Sequence, residues 1–565
     1  MKFLLFAAFA PSTLACTSFM IGPDATADGV PIVAQSDDGE GAGDPRLVYV
    51  PPLDWPPGAL RPVINYGNFP RYVGKERRVP AYYPTALLPN ATQNLIGHMP
   101  QVNHTYGYYE GDYAISNEHG LSFGESTCSA RTYAAPLSDG GPALLTMNEL
   151  SRLAAERTTT ARAAVELMGS LARQYGFVGE GAIVGGESLL VADPTEQWIF
   201  HVLAESNATG GAIWAAQRVP RDHAVVVANA FVLAEMPLAP GDEFLFSDNM
   251  RAVAKANGWW DGAEPFHFTR AFSIGEYTSH GYAARRMWAF WEVVAPSAKV
   301  PAEYARYLDV IGGAYPTTAR PDTNVTRDDV LRRVYRNYYQ GTKYDLSAGP
   351  AAGPFSTPYR SKPGQGEAAV AGTCGPLGPC SRWERSIASF RSTNIHVTFV
   401  RAEGDATLWF VPYAALPSVF VPILTSAASV PRALADAANV RIDRTKAYWA
   451  FKELAQYVYP RWSLVRDRVA EVAAELEEKG DLLAANLLKQ EERWSNARAN
   501  AADAHAGAVV TAWQELYEEL LMKFADGYAY DGHDTTYLGY PAWWLTEVGY
   551  MNGTAQPCDT PTGTC

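Results

Sequence analysis

The sequence predicts an α+β protein with antiparallel sheets, and three observations carry that expectation. Its early segment reads as a β-hairpin. Two helical patterns follow near the middle of the first half and lie between further hairpin-like runs, without the regular β-α alternation of a parallel sheet. The last hundred residues are rich in Ala, Glu, Leu and Lys and keep helical spacing.

Taken in order, "CTSFMIG" (16–22) and "VPIVAQ" (30–35) are short β-rich runs separated by the turn chemistry of "PDATADG", and the acidic, glycine-rich loop "SDDGEGAGDP" (36–45) follows. A hairpin of this kind places Cys16 beside residues 35–38. "TMNE" is a capping box through Thr146 and Glu149, and Leu150, Leu153 and Ala154 form the apolar stripe behind it. A second helix through Val165, Met168 and Leu171 should stop near Gly176. "SLLVAD" and "WIFHVL" (188–193 and 198–203) form another hairpin, and "HAVVVANAF" (223–231) is a β-rich run ending in the polar Asn229. Val465, Val469, Val472 and Leu476 mark a helix running to Gly480, with more helix beyond. With no internal repeat and no long linker, the expected layout is a body over 16–460 and a helix-rich part over 461–565 packed on the same domain.

The chain has 565 residues, with 47% hydrophobic and 12% aromatic residues, enough for a substantial core. A net charge of −14 argues against nucleic acid and against an anionic membrane surface. The first fifteen residues, "MKFLLFAAFAPSTLA", have the order of a secretory signal: one basic residue, an apolar run from Phe3 to Ala10, then small residues. That run is about half the roughly 20 residues a membrane span needs, so no stable membrane anchor is expected. The expected location is the secretory pathway, either secreted or lysosomal, or the periplasm of a bacterium. The sequons at Asn90, Asn103, Asn207, Asn324 and Asn552 are glycosylation candidates in keeping with it.

Six cysteines invite pairing in an oxidising compartment: Cys374 with Cys380, Cys558 with Cys565, and Cys16 with Cys128. The alternative leaves Cys16 free. Cleavage after Ala15 would make it the first residue, with its thiol beside its own α-amine. An α-amine of ordinary pKa about 7.7–8.0 is a base near neutrality, so one residue carries nucleophile and general base together. Lipid attachment at Cys16 would block that amine, and "TLAC" fits a lipidation site poorly because its leucine is displaced. The ten histidines show no triad or metal pattern, and no metal or diffusible cofactor is expected.

"CTSFMIGPDATADGVPIVAQSDDG" (16–39) resembles the N-terminus of the C69 (U34) dipeptidases, members of the N-terminal nucleophile hydrolase superfamily. "SNEHGLSFGEST" (116–127), "NELSRLAAERTTTARAAVELMGSLARQYG" (148–176), "YDLSAGPAAGPFSTPYR" (344–360), "WERSIASFRS" (383–392) and "WWLTEVGYMNG" (543–553) are similar to family segments in the same order. The resemblance implies a four-layer αββα sandwich and hydrolysis of small peptide substrates through a Cys16 acyl-enzyme. It implies Asp38 as the acid holding the α-amine, Asn117 and Asn229 as oxyanion donors, and an active-site arginine at Arg285 or Arg286, with Arg285 taken as the candidate. Gln35 stands where more distant relatives carry an arginine, which leaves Asp38 without its usual cationic neighbour. A related N-acyl amidase, acylase or ceramidase-like, and a non-catalytic secreted glycoprotein are the competing readings. A homo-oligomer is compatible with the sequence but not readable from it.

Residue types alone also admit plainer roles. Asp38 fits an acidic surface loop, Asn117 a turn before "EHG", Arg285 and Arg286 ordinary surface charges, and Cys128 a structural cysteine. Asn229 is harder to explain so, because an amide at the end of an apolar strand needs a buried partner.

Overall fold

A computed structural model of the chain describes residues 16–38, 45–65, 94–179, 185–276, 281–360, 385–401, 405–435, 441–490 and 495–549. Two antiparallel sheets organise it. The six-stranded sheet runs in the order Ala224–Val227, β1 (Thr17–Ile21), β2 (Ile32–Asp37), Thr393–Phe399, Thr407–Val411, Val421–Leu424. The eight-stranded sheet runs Phe244–Phe246, Ala212–Arg218, Gln197–Ala204, Gly186–Ala192, Ser122–Cys128, Ala114–Asn117, Tyr108–Glu110, Val48–Val50. The protein is thus a mixed α and β fold, as the hairpin patterns predict.

The sheets meet where β1 and β2 cross Ser122–Cys128 and Gly186–Ala192. Gly124 permits that approach: a Cβ there would lie 2.9 Å from the Ala34 carbonyl oxygen and 3.3 Å from Val33 Cγ1. Alternation along β1 sorts its side chains. Phe19 packs on Phe290 and Tyr335 with ring centroids 5.2 and 5.3 Å away, on the side of the Ala284–Val294 helix. Cys16 and Ser18 take the opposite face, which they share with Gln35 across the Ser18↔Gln35 pair.

The helix pair covers the far side of the larger sheet. Helix α1 (Met147–Arg157) is capped by Thr146, whose side chain accepts from the Glu149 N–H, and α2 (Ala161–Tyr175) ends at Gly176, with φ +79°. Met147, Leu150, Leu153, Val165, Met168 and Leu189 bury a second apolar cluster between these helices and that sheet. Toward the C-terminus, the Trp462–Leu488 and Asn496–Lys523 helices lie against Val421–Leu424. The first of them does not stop at Gly480, where the sequence pattern ends. A Cβ at Gly480 would come within 2.9 Å of Pro422 and of His505 Nε2, so this glycine is a close-packing position inside a continuous helix. None of the described helices is long and apolar enough to cross a membrane.

The pairing expected of Cys16 and Cys128 is corrected: both are buried free thiols. Cys374, Cys380, Cys558 and Cys565 lie outside the described residues, as do Asn90 and Asn552. Asn103, Asn207 and Asn324 are all exposed.

Candidate active site

Cys16 sits at the open end of the β1–β2 hairpin. The Thr17↔Ser36 pair puts Asp37 across from it, and the thiol donates to Asp37 Oδ1 at 3.9 Å. The carboxylate against the sulfur is therefore Asp37. Asp38, the acid chosen from the sequence, is fully buried one residue on, where it pairs with Arg385 and accepts a hydrogen bond from the Ser392 hydroxyl. The cation that Gln35 does not supply thus comes from a distant segment, and the expectation of an unpaired Asp38 is corrected. Burial, and then Arg391, pull the Arg385 guanidinium well below its ordinary range, while the charges of Cys16 and Asp37 oppose that shift. Arg385 also donates to the Tyr282 hydroxyl at 2.8 Å.

The carbonyl of Cys16 is held from two directions. Arg286 Nη1 donates to it at 2.8 Å and to Thr17 Oγ1 at 2.8 Å, and the Ser126 hydroxyl donates at 3.3 Å. The other prong of the same guanidinium, Nη2, donates to Asn229 Oδ1 at 2.6 Å and to the Ala228 carbonyl at 3.3 Å, while Nε reaches the Tyr282 carbonyl at 3.0 Å. One fully buried arginine therefore ties the Cys16 backbone to Asn229. Its pKa is lowered by burial.

Arg285, the sequence candidate, faces elsewhere. It donates to the Ala302 carbonyl at 2.8 Å and lies over the Tyr344 ring at 3.4 Å. Successive helical residues are turned by about 100°, so adjacent arginines cannot both face β1. Arg286 shares its face with Phe290 four residues on, and Phe290 packs on Phe19 of β1. That spacing is the sequence signal that separates the two arginines.

Asn229 adopts φ +62°, a left-handed conformation that asparagine tolerates better than most residues. The bend turns its amide back toward Ser122–Cys128: its N–H donates to Ser126 Oγ at 2.9 Å and its Nδ2 to the Thr127 carbonyl at 2.7 Å. Asn117 is not brought into this group. Both of its amide hydrogens are used on the Ala155 and Thr158 carbonyls, at 3.0 and 2.9 Å, and its Oδ1 accepts from the N–H groups of His119 and Leu121. No donor is left on that side chain for a substrate oxygen. The turn role that asparagine commonly takes accounts for it.

A further group was not legible as functional in the sequence. Gln35 and Glu125 grip each other across the two sheets, with Gln35 Nε2 donating to Glu125 Oε2 at 3.3 Å and the Glu125 N–H donating to Gln35 Oε1 at 2.9 Å. The Glu125 carboxyl also takes the Thr127 hydroxyl at 3.0 Å, with Cys16 and Glu187 close by. Burial pushes it up to about 7, against the pull of those hydrogen bonds. Cys128 lies nearby, its thiol pushed well up by burial and by Glu187 and Glu125, which leaves it a poor nucleophile. "FGEST" thus serves several ends: Gly124 admits the other sheet, Glu125 faces the thiol, and Ser126 links Asn229 to the Cys16 carbonyl. No group of three or more His, Cys, Asp or Glu among the described residues is placed to hold a metal ion.

Fold and site together define a mixed α and β protein arranged around a buried free thiol, with arginines behind it and carboxylates beside it. The family model described as Peptidase family C69 matches residues 15–475, and the chain belongs to that family. It is similar to a probable dipeptidase of Latilactobacillus sakei, 22% identical over 333 residues, covering 59% of this chain and 62% of the relative. It is likewise similar to a dipeptidase of Bifidobacterium longum (strain NCC 2705), 23% identical over 349 residues, covering 59% of this chain and 60% of the relative. The chain thus spans less than two thirds of the length of these curated relatives.

Proposed function

We propose that this chain is a cysteine-dependent dipeptidase of the N-terminal nucleophile type, with the αββα layering that its two facing sheets suggest. The observation that carries the reading is the anchoring of Cys16, whose thiol lies against Asp37 and whose carbonyl shares Arg286 with Asn229. Membership of a peptidase family, and the names of the two relatives, favour a peptide bond as the target.

In this mechanism a cut after Ala15 frees the α-amine of Cys16. The amine takes the thiol proton as sulfur attacks the substrate carbonyl. Asn229 is the side-chain donor suited to the developing oxyanion, since the bond to Thr127 uses one of its two amide hydrogens. The C–N bond then breaks, the protonated α-amine returns its proton to the leaving amine, and water hydrolyses the thioester. Asp38, neutralised by Arg385, shapes the charge around the amine. Such a cut fits export, and the exposed Asn103, Asn207 and Asn324 would then be open to glycosylation.

The test joins two measurements on protein from a secreting host. The mature N-terminal peptide is identified by mass spectrometry, and hydrolysis of unprotected dipeptides is compared in the wild type and Cys16→Ala. A start at Cys16 with a free amine, and loss of hydrolysis in the variant, are expected. Unchanged hydrolysis in Cys16→Ala would sink the proposal.

A further inference from the structure

Arg286 and Arg385 reach the Cys16 hairpin from distant segments, and one residue touches both. Tyr282 is buried; its carbonyl accepts from Arg286 Nε at 3.0 Å and its hydroxyl accepts from Arg385 Nη1 at 2.8 Å. The two guanidinium carbons lie 5.1 and 5.5 Å from the centroid of its ring. Each arginine has its own task at the hairpin: Arg286 holds the Cys16 carbonyl and Asn229, and Arg385 pairs with Asp38. Two buried cations that share one ring repel each other. An electron-rich ring beside both, with an acceptor at each end of the residue, offsets that repulsion.

The backbone on both sides of Tyr282 is pinned. The Glu276 carboxylate accepts from the N–H groups of Gly281, Ala283 and Ala284 at 3.2, 2.9 and 2.9 Å, and Tyr304 donates its hydroxyl to the same carboxylate. These N–H groups open the Ala284–Val294 helix, where the first turn has no acceptor for them within the helix. Next to Glu276, the Gly275 N–H donates to Ser273 Oγ at 3.0 Å, and Ser129, directly after the Ser122–Cys128 strand, donates to the Gly275 carbonyl. The Tyr282 side chain thus has a fixed origin, and its hydroxyl meets Arg385 at a place set by the helix that also carries Arg286.

We propose that Tyr282 is a positioning residue that ties Arg286 to Arg385, so that the backbone of Cys16 and the charge on Asp38 are held from one frame. The inference rests on Cys16 as the nucleophile and its own α-amine as the base. The hydroxyl acts on that amine through Arg385 and Asp38. The charged groups around Cys16 and Arg385 are Asp37 and Asp38 from β2, Arg391 beside Arg385, Arg286 from the helix, and Glu125 with Glu187 behind it from the larger sheet. Without the Tyr282 hydroxyl, the Arg385 guanidinium is held less firmly and cancels the Asp38 charge less completely. A carboxylate so exposed stabilises an ammonium beside it, and the amine then needs a higher pH to act as a base.

The experiment is the pH dependence of kcat for an unprotected dipeptide, measured on the mature wild type and Tyr282→Phe. Phenylalanine keeps the ring and the backbone carbonyl and removes the acceptor that Arg385 Nη1 uses. The melting temperature, expected within a few degrees of the wild type, shows that the variant is folded. Its kcat should fall about tenfold, the loss that goes with one hydrogen bond to a charged group, while KM stays within about twofold. The acidic limb of the profile should move to higher pH by about half a unit or more. A limb that stays in place or moves to lower pH overturns the inference, whatever happens to kcat, because a packing role alone leaves the profile where it was. A loss confined to KM overturns it too, and makes the hydroxyl a substrate contact. Cys16→Ala, run alongside, separates these outcomes from failure of the nucleophile itself: full hydrolysis there rejects the mechanism and this inference with it, whereas its loss leaves the limb as the measure of Tyr282.

Discussion

Arg286→Lys isolates the link between the Cys16 backbone and Asn229. The guanidinium makes five hydrogen bonds: to the carbonyls of Cys16, Ala228 and Tyr282, to Thr17 Oγ1 and to Asn229 Oδ1. An ammonium keeps the charge but has only three N–H groups, so at least two of these buried acceptors lose their donor. At roughly 1–3 kcal/mol for each buried group left unsatisfied, the unfolding free energy should fall by about 2–6 kcal/mol. Activity should fall further than stability alone explains, because Cys16 and Asn229, the proposed nucleophile and oxyanion donor, lose their common support, and misplacement by about 1 Å can cost a hundredfold in rate. Arg285→Lys is the matched control. It can still reach the Ala302 carbonyl and loses mainly its planar contact with the Tyr344 ring, a change of about 1 kcal/mol. The assay is denaturant unfolding of both variants, with dipeptide hydrolysis measured under conditions where each is folded. Arg286→Lys within about 1 kcal/mol of the wild type, or a larger loss from Arg285→Lys, would refute the reasoning.

Two further outcomes test the frame around the site. Gly124→Ala puts a methyl 2.9 Å from the Ala34 carbonyl oxygen, so the sheets must separate; a loss of about 1–3 kcal/mol is expected, and an unchanged melting temperature would show that the contact yields freely. His396, buried beside Gln35, is pushed down to about 3 by burial. The folded protein thus holds it neutral between about 3 and its ordinary value of 6.5, whereas the unfolded chain binds a proton there, so its contribution to stability is complete above 6.5 and is lost as pH falls toward 3. His396→Gln should flatten the loss of stability between pH 6 and 4 by up to about 1.4 kcal/mol per pH unit, read from denaturant curves, and an unaltered slope would contradict the assignment. Glu125 acts in the opposite sense. With its folded value raised to about 7, it stabilises the fold least at high pH, and the stability it gives falls as pH rises from 4.5 through 7.

What could be read from the sequence was local. The hairpin that starts at Cys16, the N-cap at Thr146, the stop at Gly176 and the apolar run ending in Asn229 all rest on interactions within a few residues, and the structure contains each of them. The capping box expected at Thr146 is only half formed, because the Glu149 carboxylate binds Arg61 and Arg152 instead of returning to the Thr146 N–H. The choice of Cys16 followed from the resemblance of its opening segment to the family, with which an N-terminal thiol and amine are chemically consistent, and membership of the family agrees with the order of segments across the chain. The tertiary structure decided the partners. Arg385 reaches Asp38 from about 350 residues away along the chain; Glu125 meets Gln35 only because two sheets cross at a glycine. Arg286 rather than Arg285 holds Cys16 because one helix lies on β1 with the Phe290 face inward. Asn117, equally plausible by residue type, spends its amide on carbonyls of and just beyond α1. Periodicity fixes which residues share a face, but which buried charge meets which is set by where separate elements cross, and no short-range pattern carries that information.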